Sequence, residues 1–288
     1  MERITRALER AYAERETREE PRIAVLQTHQ HHPISEAAPA HHAIAEPAPS
    51  NVEFTDTLAF RSPVFELKSE VRERERILPP GAGGTNGAAY KMLRTQVLRR
   101  MDQLGANVLG VVSAGAGEGK TLTAINLAIA IAADAGRTAL LVDFDLRNPG
   151  IAKRLGCQPT LGIDDCLQQR RPIQEAMFKI AGYERLTVLP ARERLEQSSE
   201  LLSASRTSEM VAEMRQRYAN RILIFDVPPV LLADDALAFT RCLQAGLLII
   251  GERKTKRADV PRTLELLRDL PFVGSVLNGS REPAVSPY

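Results

Sequence analysis

Residues 108–125 read VLGVVSAGAGEGKTLTAI, and the rest of the chain is organised around them. An apolar run, VLGVVS, ends in a glycine-rich turn, then come Lys120, Thr121 and the start of a helical pattern. That is the strand–loop–helix order of a phosphate-binding loop. Gly117 and Gly119 let the backbone turn its N–H groups toward a polyphosphate. The helix opening at Lys120 adds the positive end of its dipole. Lys120 reaches terminal phosphates as a point charge, and the Thr121 hydroxyl is placed to bind Mg²⁺. The candidate nucleotide-binding set is therefore Gly115, Ala116, Gly117, Glu118, Gly119, Lys120, Thr121 and Leu122. One departure is visible: Ala114 stands where the motif begins with glycine.

Working outward, 288 residues leave room for one sizeable α/β domain and an appendage. Charge is nearly balanced, +2 from 38 basic and 36 acidic residues, which argues against a nucleic-acid partner. Cys157, Cys166 and Cys242 share no metal-ligand spacing and are expected to be inert thiols in a reducing compartment. Residues 1–20 are charged throughout and lack the apolar core of a secretory leader. No apolar run approaches the roughly 20 residues of a bilayer span. The expectation is a cytoplasmic protein, held at the inner face of the membrane by a partner where it is held there at all.

Residues 1–20 place Ile4, Ala7, Leu8, Ala11 and Tyr12 at helical spacing among Arg and Glu, which predicts a short amphipathic helix. Residues 21–87 read as a flexible linker, rich at first in Pro, Ala and all five histidines, then with short apolar clusters over 51–78 that leave loose packing on the main domain open, and closing on the Pro/Gly stretch 79–87. The folded domain is placed at 88–280, and 281–288 form a tail. Within the domain a helix over 88–103 precedes strands at 108–113, 138–143, 186–190, 222–226, 246–251 and 273–278. Helices are expected over 120–135, 207–219, 232–242 and 259–270, the last capped by Asp259. The strands are apolar at consecutive positions, so both faces should be covered. The fold class is a P-loop NTPase-type three-layer α/β sandwich with a mostly parallel sheet.

Two further strands end in aspartate. LLVDFDLRNP ends with Asp143, Asp145 and Arg147, and ILIFDVPP ends with Asp226. The carboxyl ends of parallel strands share the edge where the phosphate loop sits, so these acids converge on its ligand. Asp226 has the context of a Walker B carboxylate that holds Mg²⁺, directly or through water. Asp143 and Asp145, two residues apart, offer one carboxylate to a metal and one to accept a proton. Asp145 has a second reading, as a cap on the following turn or an ion-pair partner of Arg147.

GAGEGKTLTAINLA, LLVDFDLRNP and RILIFDVPP together resemble the Walker A, A′ and B motifs of bacterial tyrosine kinases (BY-kinases) of exopolysaccharide and capsule synthesis. YKMLRTQV is similar to that family's pre-domain helix. The likeness covers about 88–278 and is greatest to the stand-alone cytoplasmic form, including the subset linked to exosortase-type loci. The resemblance implies ATP and Mg²⁺ as ligands and phosphoryl transfer to tyrosine, including tyrosines near the chain's own C-terminus. Lys120 would then stabilise the β/γ-phosphates, while Thr121, Asp143 and Asp226 serve the metal. Asp143 and Asp145 would divide metal contact and activation of the tyrosine hydroxyl, and Arg147 would assist substrate or phosphate. Asn278 matches an adenine-contact position; its other reading is a strand-end cap. The implied partners are a transmembrane chain-length-determinant activator, polysaccharide-synthesis enzymes as substrates, and copies of the chain in a homo-oligomer.

Two departures from that family stand out. Its oligomerisation signature runs acidic, basic, Arg, but the matching positions are Ala88, Lys91 and Arg94, leaving Glu118 or the N-terminal segment to supply the acid. Its tyrosine cluster is reduced to Tyr288, the autophosphorylation candidate of the tail. Two alternatives stay open: an ATP-binding regulatory subunit of a polysaccharide export machine without kinase activity, and a partition-type switch ATPase. The second is disfavoured by Gly115, which stands where those proteins carry a second lysine.

Overall fold

The structure is a computed structural model and describes residues 62–280 apart from Ala233. The predicted N-terminal helix, the histidine-rich stretch and the tail with Tyr288 lie outside the described residues. An eight-stranded sheet forms the middle layer, in the order β1-β4-β5-β3-β6-β2-β7-β8. The strands are β1 (Val64–Phe65), β2 (Val108–Ser113), β3 (Thr138–Asp143), β4 (Phe178–Ile180), β5 (Leu186–Leu189), β6 (Arg221–Asp226), β7 (Ala245–Gly251) and β8 (Phe272–Asn278). Every pairing is parallel except that of β4 with β5.

Both faces are covered, as the consecutive apolar positions require. On one face Leu109, Val111, Leu141, Ile224 and Ile249 pack under α2 (Gly84–Leu104), α3 (Lys120–Ala132) and α4 (Ile151–Leu155), through side chains such as Met101, Ile125 and Leu155, while α1 (Ser69–Arg74) buries no residue and sets Val71 against Gly156, just after α4. On the other, the alternate residues Val112, Leu140, Val142, Phe225 and Leu248 meet Leu167, Met214, Phe239 and Leu267. These belong to, or adjoin, α5 (Ile163–Gln169), α6 (Ile173–Ala176), α7 (Ser198–Ser203), α8 (Ser205–Arg217), α9 (Asp234–Thr240) and α10 (Asp259–Leu266). Helix α3 is buried nearly all round from Thr123 to Ala132, which explains its lack of a polar stripe. Among the described residues no helix is long and apolar enough to cross a membrane.

The six expected strands form at or within a residue of their expected bounds, and β1 and β4 are additions. β4 is three residues, FKI, hydrogen-bonded to β5 across a turn in which Gly182 adopts φ +80°. Strand β1 is held at the sheet edge by Lys179 N–H donating to Pro63 O (2.9 Å) and Ala181 N–H donating to Phe65 O (2.9 Å). The domain boundary at 88 is therefore corrected. The folded unit takes in the end of the expected linker, because Ile77 and Leu78 are buried in the core. The backbone there is sealed by polar contacts: Leu78 N–H donates to Asn126 Oδ1 (2.9 Å), Asn126 Nδ2 donates to Arg76 O (3.0 Å) and the Tyr183 hydroxyl donates to Leu78 O (2.8 Å). Asp259 is also corrected, from cap to first helical residue, with Ala258 at the cap and no capping side-chain bond.

A linker residue would tolerate truncation, whereas a core residue leaves a cavity. Ile77→Ala is expected to cost about 2–5 kcal/mol of folding stability, read from the urea unfolding midpoint. An unchanged midpoint would return residues before 88 to the linker.

Candidate functional site

Three central strands, adjacent in the order β3-β6-β2, deliver the site to one sheet edge. Asp143 and Asp226 are direct partners across the β3–β6 ladder, which continues one step through Phe144 N–H donating to Asp226 O (2.9 Å). Phe144 and Phe225 turn to one face and pack with Phe239, with ring centroids 4.2 to 5.3 Å apart. Strand alternation then turns the flanking Asp143, Asp145 and Asp226 to the opposite face, the side of α3.

Lys120, the first residue of α3, meets those acids. Its Nζ lies 2.6 Å from Asp226 Oδ1 and 3.3 Å from Asp145 Oδ2, all three side chains being buried. Burial pulls the Lys120 pKa down, but Asp226 and then Asp145 outweigh it and hold the ammonium above its ordinary value. Asp143 faces the reverse balance: burial, then the charge of Asp226, push its carboxyl up to about 8 despite N–H donation from Ile151. Asp145 is raised as well, chiefly by burial, with Lys120 opposing. Asp143 Oδ2 accepts the N–H groups of Gly150 (3.0 Å) and Ile151 (2.9 Å), and Oδ1 accepts that of Asp145 (3.3 Å). Asp145 Oδ1 also caps the following turn by accepting Asn148 N–H (3.2 Å), as its second expected reading has it, while its ion-pair partner is Lys120 in place of Arg147. Asp226 Oδ2 is buried and has no hydrogen-bond partner among the described residues. Arg147 donates from Nε to Ser198 Oγ (3.3 Å), which ties its loop to α7.

The loop itself adopts left-handed φ at Gly117 (+72°) and Gly119 (+96°), as a phosphate-cradling turn needs. Ala116 and Gly117 are exposed, and Thr121 and Leu122 are half-buried in the first turn of α3. The Thr121 side chain packs on Gly150, where an added Cβ would lie 3.2 Å from its Oγ1. Glu118 turns inward: its Oε1 accepts Gly115 N–H (3.1 Å), and Oε2 is buried without a partner among the described residues. It is therefore withdrawn as a substitute acid for a subunit contact. On α2, Ala88 and Lys91 are exposed, whereas Arg94 donates to Ala130 O of its own chain (3.2 Å).

Asn278 ends β8 and donates from Nδ2 to Glu118 O (2.9 Å), a contact to the loop that neither expected reading contains. Lys254 escaped sequence reasoning altogether, yet its Nζ donates to Gly117 O (2.7 Å). The signal was present in the basic run RKTKR, which begins two residues after β7 at the same sheet edge as the loop.

A divalent cation fits these residues only as a shared ligand. Among the described residues no group of three or more His, Cys, Asp or Glu side chains is arranged to hold a metal ion. The unpartnered Asp226 Oδ2 and the Thr121 hydroxyl are donors of the hard-oxygen kind that Mg²⁺ combines with substrate phosphates.

The AAA domain family profile matches residues 106–252, from just before β2 to the turn after β7. The tyrosine-protein kinase YwqD of Bacillus subtilis is 29% identical over 206 residues, covering 70% of this chain and 85% of that protein. The succinoglycan biosynthesis transport protein ExoP of Rhizobium meliloti is 29% identical over 181 residues, 60% of this chain but 22% of that protein. The VpsO kinase domain superposes with a TM-score of 0.60 at 28% identity, covering 73% of this chain and 97% of that one. The chain belongs to the AAA domain family, and bacterial tyrosine-protein kinases are among the proteins it is similar to.

Proposed function

We propose that the chain is an ATP-dependent protein-tyrosine kinase that phosphorylates itself or partner proteins and regulates exopolysaccharide synthesis, chain length or export. The observation that carries this reading is Lys120 held between Asp226 and Asp145 beside a glycine-turned loop. Such an arrangement supports positioning and charge stabilisation of a transferring phosphoryl group. Tyrosine as acceptor is supported by kinases such as YwqD, and polysaccharide as context by ExoP, whose name carries succinoglycan biosynthesis and transport.

In this reading the loop amides and Lys120 bind the polyphosphate of ATP, and Thr121 and Asp226 would hold Mg²⁺, whose positive charge would offset that of the phosphates. Asp143, with both oxygens occupied by backbone N–H groups, orders the turn that carries Asp145. Asp145 is the better placed proton acceptor, since both Asp143 oxygens are taken up by backbone N–H groups while Asp145 Oδ2 lies beside Lys120 Nζ. The tyrosine oxygen forms its bond to the γ-phosphorus, the bond to the β–γ bridging oxygen breaks, ADP departs and the phenolic proton passes to Asp145. Arg147 steadies the acceptor or the phosphate from the adjoining loop.

Three of the five tyrosines are engaged within the fold. Tyr90 is half-buried in α2, Tyr183 is buried with its hydroxyl on Leu78 O, and Tyr218 packs under the Arg221 guanidinium. Tyr12 and Tyr288 lie outside the described residues; of the two, Tyr288 is the proposed site of self-phosphorylation because the resemblance puts acceptors near the C-terminus, and tyrosines of polysaccharide-synthesis enzymes are the proposed sites in trans. A transmembrane chain-length-determinant protein is the proposed activator and would recruit the chain to the inner face of the plasma membrane.

Purified chain incubated with Mg-ATP should acquire phosphotyrosine, and Lys120→Met should reduce the rate by about 10²–10³-fold. Tyr288→Phe should abolish self-labelling while leaving transfer to an added tyrosine peptide. Label that survives Lys120→Met, or ATP hydrolysis without phosphotyrosine on any acceptor, would exclude this reading.

Asp143 adds a pH test. A carboxyl raised to about 8 in the fold keeps a proton that the unfolded chain has released, so its contribution to stability fades as pH climbs from about 4 toward 8. Asp143→Asn cannot ionise but keeps an oxygen for Gly150 and Ile151. Between about pH 5 and pH 9 the wild-type melting temperature should therefore fall relative to the variant's, and parallel curves would contradict the shift.

A further inference from the structure

The phosphate loop is gripped from outside by two side chains that the proposed chemistry does not use. Lys254 Nζ donates to Gly117 O (2.7 Å), and Asn278 Nδ2 donates to Glu118 O (2.9 Å). These are consecutive carbonyls of the loop. The peptide bonds are trans, and in a planar trans peptide the C=O of one residue points opposite to the N–H of the next. Holding the Gly117 carbonyl toward Lys254 therefore turns the Glu118 N–H away from Lys254. Holding the Glu118 carbonyl toward Asn278 turns the Gly119 N–H away from Asn278. Among the described residues neither amide donates to a protein acceptor.

The grip comes from one side of β2. Strand β7 is the neighbour of β2, and β8 is the neighbour of β7, whereas Asp226 and Asp143 lie on the other side, on β6 and β3. Gly251 and Asn278 are direct partners at the ends of β7 and β8, and Glu252 N–H donates to Asn278 O (2.9 Å). The turn carrying Lys254 is closed on Gly251, whose N–H donates to Thr255 Oγ1 (2.9 Å) and whose carbonyl accepts Lys254 N–H (3.1 Å) and Thr255 N–H (3.0 Å). Gly251 packs on the loop, since a Cβ there would lie 3.1 Å from Glu118 Cα. A Cβ on Gly119 would collide with the Asn278 carboxamide, so this glycine serves both the left-handed turn and the seat of Asn278. The donors thus sit on a braced platform.

We propose that Lys254 and Asn278 are positioning residues for nucleotide binding, which hold the Gly117 and Glu118 carbonyls outward and so aim the Glu118 and Gly119 amides at a bound polyphosphate. This rests on the nucleotide reading above. It gives Asn278 a task on the loop backbone in place of a contact to adenine. It also makes the turn after β7 part of the phosphate site.

The test uses the full chain, with Mg-ADP as probe in calorimetric titrations and amide ¹H–¹⁵N spectra recorded without nucleotide. Lys254→Ala and Asn278→Ala should each weaken Mg-ADP binding about three- to tenfold, as expected for one hydrogen bond to a backbone carbonyl. Lys254→Arg should restore binding to within about twofold, since a guanidinium can reach the same carbonyl. In the spectra Lys254→Ala should shift the Glu118 amide most and Asn278→Ala the Gly119 amide most, a pairing that general destabilisation would not produce. Weakened binding with an unmoved Glu118 amide would make Lys254 a direct charge on the ligand and overturn the positioning role. Unchanged binding in both alanine variants would overturn it too. If wild type itself fails to bind Mg-ADP, the nucleotide reading falls, and with it a positioning role for these residues. The amide shifts would then still report whether the two side chains orient the loop.

Discussion

A lysine ammonium buried at the head of α3 is the constraint on which the site and much of the fold depend. Lys120 is 6% exposed, and a cation so placed is tolerated only with opposite charge in contact. Asp226 and Asp145 supply it from the ends of β6 and β3. Both strands must therefore end level with each other and with the loop, which the direct Asp143–Asp226 pairing achieves. Slipping β3 by one residue would send its acids to the opposite face and leave Lys120 with one partner. The cluster of Phe144, Phe225 and Phe239 opposes that slip, because the same shift would carry Phe144 out of its core.

Charge at this edge does not balance. Asp143, Asp145 and Asp226 surround one lysine, and Glu118 adds a fourth carboxylate within the loop. The imbalance appears in Asp143, whose carboxyl is pushed up to about 8 by burial and by Asp226. Under the proposed function a polyphosphate would bring more negative charge to the same place, and Lys120 alone would be an insufficient counterion. The remainder would come from backbone N–H groups, from the positive end of α3 and from a divalent cation. An Asp226 oxygen without a protein partner suits that demand, since a metal ion is a partner the protein does not itself contain.

Much of this was legible in the sequence, for a physical reason. Strands buried on both faces read as unbroken apolar runs, and β2, β3, β6 and β7 all announced themselves that way. Asp143 and Asp226 were visible because an acid closing such a run is costly unless it has a task. β1 and β4 were not, since two or three residues carry no period and their pairing depends on neighbours far along the chain. Ile77 and Leu78 were hidden by the charged run before them and the Pro/Gly stretch after them. Their burial depends on Asn126, on the far side of the phosphate loop. Glu118 and Lys254 were misread or missed because a charged residue in a loop reads as solvated; only the fold reveals that one points inward and the other reaches a backbone carbonyl.

The acceptor follows from what the fold withholds. In the proposed mechanism a tyrosine that receives a phosphoryl group brings its hydroxyl to Asp145 and Lys120, which are fixed at the carboxyl edge of the sheet. Tyr183 lies with its hydroxyl on Leu78 O, beside the segment that seals α3, and burial raises its pKa. Tyr90 is likewise raised by burial, within α2. Moving either to the site would break the packing that holds α3, and hence Lys120, in place. Tyr218 would have to leave Arg221, at the start of β6, at the edge opposite Asp226. The domain thus protects its own described tyrosines, and the proposed acceptor belongs to another segment. Such a segment can come from the chain's own tail, from a second copy or from a partner. Which of these presents its tyrosine is a question of reach and local concentration, not of the site's geometry.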